Sequence, residues 1–136
     1  MAIVSITRLR VRSLRYLLPF LLYALRSSRQ AKNSPGNLGT SLLRDSDRTF
    51  WTRTLWSSES AMKEFMLAGA YGQAMRKLLE WCDEAALVHW EQGSDDPPGW
   101  PEAHRRLQDS GRRSKVNHPS PAQESFRIRP PQQGSA

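Results

Sequence analysis

The sequence predicts an α+β domain with the element order βαββαβ, on three observations. Runs rich in β-branched and aromatic residues recur at 2–11, 49–56 and 86–92. Amphipathic helical stripes occupy 14–30 and 58–84 between them. A polar turn, Asp45-Ser46-Asp47-Arg48, joins two strand-like stretches in the middle. The 136 residues are 38% apolar, 9% aromatic and 24% charged, which suits a small core with extensions and excludes a membrane bundle. A single cysteine, Cys82, excludes a disulfide framework and a multi-thiolate zinc site. Seven of the nine prolines follow Gln92, so the core must come from residues 1–92.

The first strand, Ala2–Val11, sets Ile3, Ser5, Thr7 and Leu9 against Val4 and Ile6. It is apolar on both faces at its start, so both are expected to be covered. Ser13 offers an N-cap for a helix over Leu14–Gln30. There Leu14, Leu17, Leu18, Leu21 and Leu25 form a stripe that reads as the core face, and Tyr16, Phe20 and Tyr23 form a second patch away from it. Pro19 predicts an irregularity near the first turn. Asn33-Ser34-Pro35-Gly36-Asn37 is a loop.

Leu38–Arg44 and Thr49–Trp56 form the hairpin. In its second strand Phe50, Thr52, Thr54 and Trp56 point one way, and Trp51, Arg53 and Leu55 the other. Ser57 or Ser58 caps the next helix, whose inward stripe is Met62, Phe65, Met66 and Gly69. The wheel changes side around Ala68-Gly69-Ala70-Tyr71-Gly72, which predicts helices near 58–69 and 73–84 with a bend between them. The last strand is Ala86–Gln92, with Ala86, Val88 and Trp90 on one face and Leu87, His89 and Glu91 on the other.

That order is the ferredoxin-like arrangement, over residues 1–92. Such a sheet carries helices on one face, and here the other holds bulky apolar groups. A second copy packing sheet against sheet is therefore expected, giving an isologous homodimer. Residues 93–136 read as an irregular, proline-rich tail with one short helix near 100–110.

Charge is uneven. Residues 1–44 carry eight Lys or Arg and no acid, whereas 45–92 carry five basic and eight acidic residues. The net +7 invites a nucleic-acid or anionic-membrane reading. No helix-turn-helix, zinc-finger or RNA-binding signature accompanies it, so no nucleic acid is expected as a partner. The apolar stretch Leu14–Leu25 contains Arg15 and Pro19 and is too short to span a bilayer, so no transmembrane segment is expected. The basic and apolar runs stand in the wrong order for a signal peptide, and a cytoplasmic location is expected.

Several short runs then resemble a known family. They are Ile6-Thr7-Arg8-Leu9-Arg10, Ser34-Pro35-Gly36, Arg48-Thr49-Phe50-Trp51-Thr52, Leu55-Trp56, Ala61-Met62, Glu80-Trp81-Cys82-Asp83-Glu84-Ala85 and His89-Trp90. Together they are similar to a bacterial family of unknown function related to spheroidene monooxygenase and, more remotely, to the antibiotic-biosynthesis monooxygenases. The similarity covers residues 1–92, with weaker pieces in the tail. It implies a dimeric α/β barrel, oxidation of a small apolar or aromatic compound, and haem as a conceivable cofactor. One departure stands out: the family's Ser-Gly-Ala-His pattern is Ala68-Gly69-Ala70-Tyr71 here, so a role for that histidine does not transfer.

A cavity between helices and sheet, or between the two sheets of a dimer, is the expected site. Arg53 and His89 are the catalytic candidates, since both fall mid-strand. His89 suits a proton donor, base or metal ligand, or else a hydrogen-bonded histidine at a dimer rim. Arg53 suits a clamp on an anionic oxygen, or else a salt bridge to Glu91 or to the other subunit. Trp51 and Trp90 suit stacking on an aromatic ligand or filling of core and interface, and Tyr71 suits the entrance or a plain helix break. No glycine-rich phosphate loop follows a strand, and no histidine metal triad is spaced for assembly.

The reading that results is a small monooxygenase-like oxidoreductase without an evident cofactor. The alternative is a non-catalytic homodimer that binds a small ligand or a protein. A third reading is a peripheral membrane or nucleic-acid binder using the arginines of residues 8–29.

Overall fold

Strand β1 (Ala2–Val11) runs through the middle of the sheet, as an element apolar on both faces must. The computed structural model describes residues 1–67 and 76–131. After β1 come a 3-10 turn (Leu14–Tyr16), α1 (Leu17–Lys32), the hairpin β2 (Asn37–Asp45) and β3 (Thr49–Trp56), and α2 (Glu59–Leu67). Residues 76–81 are helical (α3), and β4 (Cys82–Gln92), α4 (Trp100–Ser110), β5 (Arg112–Arg113) and α5 (Pro121–Ser125) complete the chain. The sheet is antiparallel in the order β2-β3-β1-β4-β5. The chain adopts the α+β, ferredoxin-like βαββαβ fold expected of it, with one short strand added at the β4 edge.

Helix α1 is rotated from the stripe its leucines suggest: Leu17 and Leu21 of that stripe pack inward, and Leu14, Leu18 and Leu25 do not. Phe20 and Ala31 are buried, with Leu17, Leu21 and Ala24 packed beside Phe20. Leu14, Leu18, Leu22 and Leu25 are 72%, 68%, 51% and 59% exposed. Through Leu25 the helix is apolar almost all round, so hydrophobicity alone leaves its inner face undecided. The small residues Ala24, Ser27, Ser28 and Ala31 permit close approach to the sheet, while Arg26, Arg29 and Lys32 prolong the leucine side into water. Ser13 does cap the 3-10 turn, accepting from the Arg15 amide at 3.4 Å. Pro19 lies within the first turn of α1, where the missing amide proton has no helical partner to lose.

Gly36 makes the entry to β2 possible. Its φ is +84°, and a Cβ there would meet the Ala61 Cβ at 2.6 Å. Ser58 caps α2 by accepting from the Ala61 amide at 3.1 Å. The expected helix to residue 84 ends instead at 81, and β4 starts at Cys82, not Ala86. The reason is ionic. Pairing with β1 sets Glu84 opposite Arg10, where Asp83 takes an Arg10 hydrogen bond and Glu84 receives Arg8 at 2.7 Å. Cys82 is thus the buried first residue of a strand and not part of an amphipathic helix.

The sheet face away from α1 and α2 is covered by the chain's own C-terminal residues. Amphipathic α4 lays Trp100, Ala103 and Leu107 on Val4, Ile6, Trp51, Leu55, Ala86 and Val88, and Ile128 closes the cluster. That cluster draws on both sides of Gln92. The sheet face expected to be bare, on which a second copy was expected to pack, is covered within the chain. Tail residues also finish the β4 edge: β5 pairs with Ala86 and Leu87, and the buried Gln123 amide bonds the backbone N–H and C=O of Ala85, each at 3.1 Å. The tail expected to be mostly irregular is ordered through α4, β5 and α5.

The uneven charge is resolved within the fold. Arg8, Arg10 and Arg12 of the acid-free segment meet Glu84, Asp83 and Glu80 of the acidic one. Glu84 also accepts from the Ser120 hydroxyl at 2.8 Å, tying α5 to the same network.

Candidate functional site

Between the sheet and helices α1 and α2 lies a cavity of about 80 Å³, several times what one water needs. It exists because both of its walls carry small side chains. The sheet contributes Ser5 and Thr7 from β1, Thr52 and Thr54 from β3, and Thr40 from β2; α1 contributes Ala24, Ser27, Ser28 and Ala31. Phe20, Trp56, Met62, Phe65 and Met66 supply its apolar surround. Trp56 and Phe65 stack with ring centres 5.2 Å apart, which fixes the α2 side.

Strand register aligns the hydroxyls. Thr40 faces Thr54, Thr54 faces Ser5, and Ser5 faces His89, so one row crosses four strands on the cavity face. A second row sets Thr52 opposite Thr7. Thr54 accepts from the Trp56 indole at 2.9 Å and Thr40 from Asn37 at 3.0 Å. The hydroxyls of Ser5, Thr7 and Thr52 line the cavity with no side-chain partner among the described residues. Tyr23 at the rim accepts from Lys77 at 2.7 Å and packs on Trp81.

Of the residues singled out from the sequence, Trp51, Arg53 and Trp90 share one sheet face and His89 lies on the other. Alternation is as expected, and it places Trp51, Arg53 and Trp90 on the opposite face, under the tail. Trp51 is fully buried and donates to Asp45 at 3.2 Å. Arg53 donates to the Pro98 carbonyl at 2.6 Å and the Ser41 hydroxyl at 3.1 Å, and burial holds its pKa below the usual arginine value. Among the described residues, Glu91 is not its partner. Trp90 lies under Arg106 at 4.7 Å. His89 shares the cavity face but is exposed on β4. Tyr71 lies outside the described residues.

The sequence reading missed the residues that line the cavity, and one signal could have found them. Ser5, Thr7, Thr52 and Thr54 are small polar groups on a strand face that must be covered, and small groups on a covered face leave room. The cavity does not fit haem. Its volume is far below that of a macrocycle, and the three histidines are elsewhere: His104 bonds the Ile128 carbonyl at 2.8 Å, His118 lies 3.5 Å from Glu80, and His89 faces water. Among the described residues no three His, Cys, Asp or Glu side chains gather as metal ligands.

Residues 27–133 match the family model described as a domain of unknown function, DUF3291. The chain belongs to that family. No curated protein matches its sequence. Among solved structures, this DUF3291 chain is similar to SnoaB, a cofactor-independent oxygenase from Streptomyces nogalater, at 14% identity and a TM-score of 0.55, covering 68% of this chain and 94% of SnoaB. It is similar to Rv0793 from Mycobacterium tuberculosis at 12% identity and a TM-score of 0.61, covering 69% and 100%. A structure described as an antibiotic biosynthesis monooxygenase is similar at 10% identity and a TM-score of 0.60, covering 68% and 99%. At these identities the likeness is one of fold. The DUF3291 match, by contrast, runs through the tail that covers the sheet.

Proposed function

We propose that the chain is a small oxidoreductase of monooxygenase type that takes an apolar or aromatic compound into the cavity under α1 and α2. The observation that carries this reading is the make-up of the cavity: apolar walls with hydroxyls from three adjacent strands. The shared fold with a cofactor-independent oxygenase supports it. A small planar substrate sits between Phe20, Trp56 and Met62 once these side chains shift to widen the cavity, and Ser5, Thr7 and Thr52 hold an oxygen on its ring. The substrate itself is electron-rich, as a hydroquinone or phenol is. A substrate RH2 and dioxygen give RO and water, one oxygen atom entering the product and the other leaving with the two hydrogens. The chain binds, orients and excludes bulk water. His89, exposed beside Ser5 in the hydroxyl row and outside the cavity lining, takes by way of the Ser5 hydroxyl the proton that the substrate loses.

Arg53, Trp51 and Trp90 have a different part in this reading, since they fasten the C-terminal residues; Tyr71 is kept for the mouth of the cavity. A remoter kinship with spheroidene monooxygenase belongs to the same proposal, without haem. One observation favours the second reading, a non-catalytic ligand-binding module: among the described lining residues there is no Asp, Glu, His or Cys.

An oxygen electrode separates the two. With hydroquinones and phenols as substrates, uptake is expected in the wild type, to fall about tenfold or more in His89→Ala, and to vanish when Ala24→Phe fills the cavity. Ligand-induced quenching of tryptophan fluorescence without oxygen uptake overturns the enzyme and leaves the binding module.

A further inference from the structure

Helix α1 has a second apolar face, and it points outward. Leu18, Leu22 and Leu25 recur at helical spacing, with Leu14 one turn ahead, so they form a ridge along the outer side. Each is more than half exposed. Leu38 and Leu42, 47% and 38% exposed, extend the surface on edge strand β2, which packs beside α1. Exposed leucines gathered along one helix face mark an interaction site.

Charge decides what kind. Arg15, Arg26, Arg29 and Lys32 are exposed on the same side of the helix, and among the described residues none forms an ion pair with a carboxylate. Arg15 and Arg26 rest over the rings of Tyr16 and Tyr23 at 4.9 and 5.8 Å. Arg8, Arg10 and Arg12 of the acid-free segment are taken up by carboxylates; these four are not.

The face is therefore apolar and basic at once. A second copy of it would set like charges against one another. A bilayer with anionic headgroups matches both features, since leucines enter the acyl boundary while guanidiniums stay among phosphates. No helix among the described residues is long and apolar enough to cross a membrane, so the helix would lie on the surface. We infer that the outer face of α1 docks the protein on anionic lipid. None of the docking residues lines the cavity, so this inference stands or falls apart from the proposed chemistry.

Co-sedimentation of the full chain with vesicles tests it, using phosphatidylcholine alone and phosphatidylcholine with about a third phosphatidylserine. Binding is expected to the anionic vesicles only, and to weaken steeply between about 0.1 M and about 0.5 M salt. The triple variant Leu18→Ser/Leu22→Ser/Leu25→Ser should lose about tenfold or more in affinity with its thermal unfolding unchanged. Arg15→Gln/Arg26→Gln/Arg29→Gln should lose a similar amount together with the salt dependence. Equal binding to both vesicle types, no binding to either, or undiminished binding by both variants overturns the inference. So does a wild-type dimer in ultracentrifugation that the leucine variant dissolves, which would assign the face to a second copy.

Discussion

The guanidinium carbon of Arg53 stands 4.6 Å from the centre of the Trp100 ring, while the same side chain donates to the carbonyl of Pro98. One residue of β3 thus grips both the approach to α4 and its first residue. Trp100 in turn meets Trp51 edge-on at 6.4 Å. Trp100→Ala is expected to lower stability by about 3–5 kcal/mol, read as a shift of the urea midpoint with unchanged slope. A loss below about 1 kcal/mol would mean that α4 is not part of the core.

Removing the tail goes further. A chain ending at Gln92 uncovers Val4, Ile6, Trp51, Leu55 and Val88 together. It is expected to self-associate or aggregate, with strong binding of a hydrophobic dye, whereas the full chain binds little. A monodisperse, folded fragment in ultracentrifugation would contradict the tail's role as cover.

Arg8 and Glu84 form a buried pair, each less than a tenth exposed, with Ser120 as a further donor. Arg8→Met leaves the buried carboxylate only Arg10 at 3.8 Å and the Ser120 hydroxyl, and is expected to cost about 3 kcal/mol. The double variant Arg8→Met/Glu84→Leu should recover much of that loss, because no unpaired charge is left behind. Additive losses in a double-mutant cycle would show that the two do not act as a pair.

Burial, and secondarily Asp83, pushes the Cys82 thiol up to about 12. Native Cys82 is expected to react with a disulfide reagent at pH 8 only as fast as the chain unfolds. The sign of its pH effect follows. Below about pH 9 the thiol is protonated in both states; from there to about 12 the unfolded chain loses the proton while the native one keeps it, so stability falls as pH rises. Cys82→Ala should flatten that part of the profile, and rapid labelling of the native protein would contradict the burial.

What the sequence carried and what it hid divide along physical lines. Strands β1 and β3 were readable to the residue, Ala2–Val11 and Thr49–Trp56, because alternation and β-branching agree there. The inner face of α1 was not, since leucines surround its first turns and only Arg26, Arg29 and Lys32, farther along, tell which side meets water. The start of β4 was hidden by a helix-like pattern that cross-strand ion pairing with Arg8 and Arg10 overrides. The helix–sheet cavity was foreseen as a place, but its candidate residues were sought among charged and aromatic groups. Its lining is made of hydroxyls and small side chains, which signal space only when the opposite wall is known.

Covering the sheet from within has one more effect. A core sealed by a partner comes apart on dilution, because the seal is lost as molecules become scarce. A core sealed by α4 and Ile128 of the same chain does not, so its melting temperature should be indifferent to how much protein is present.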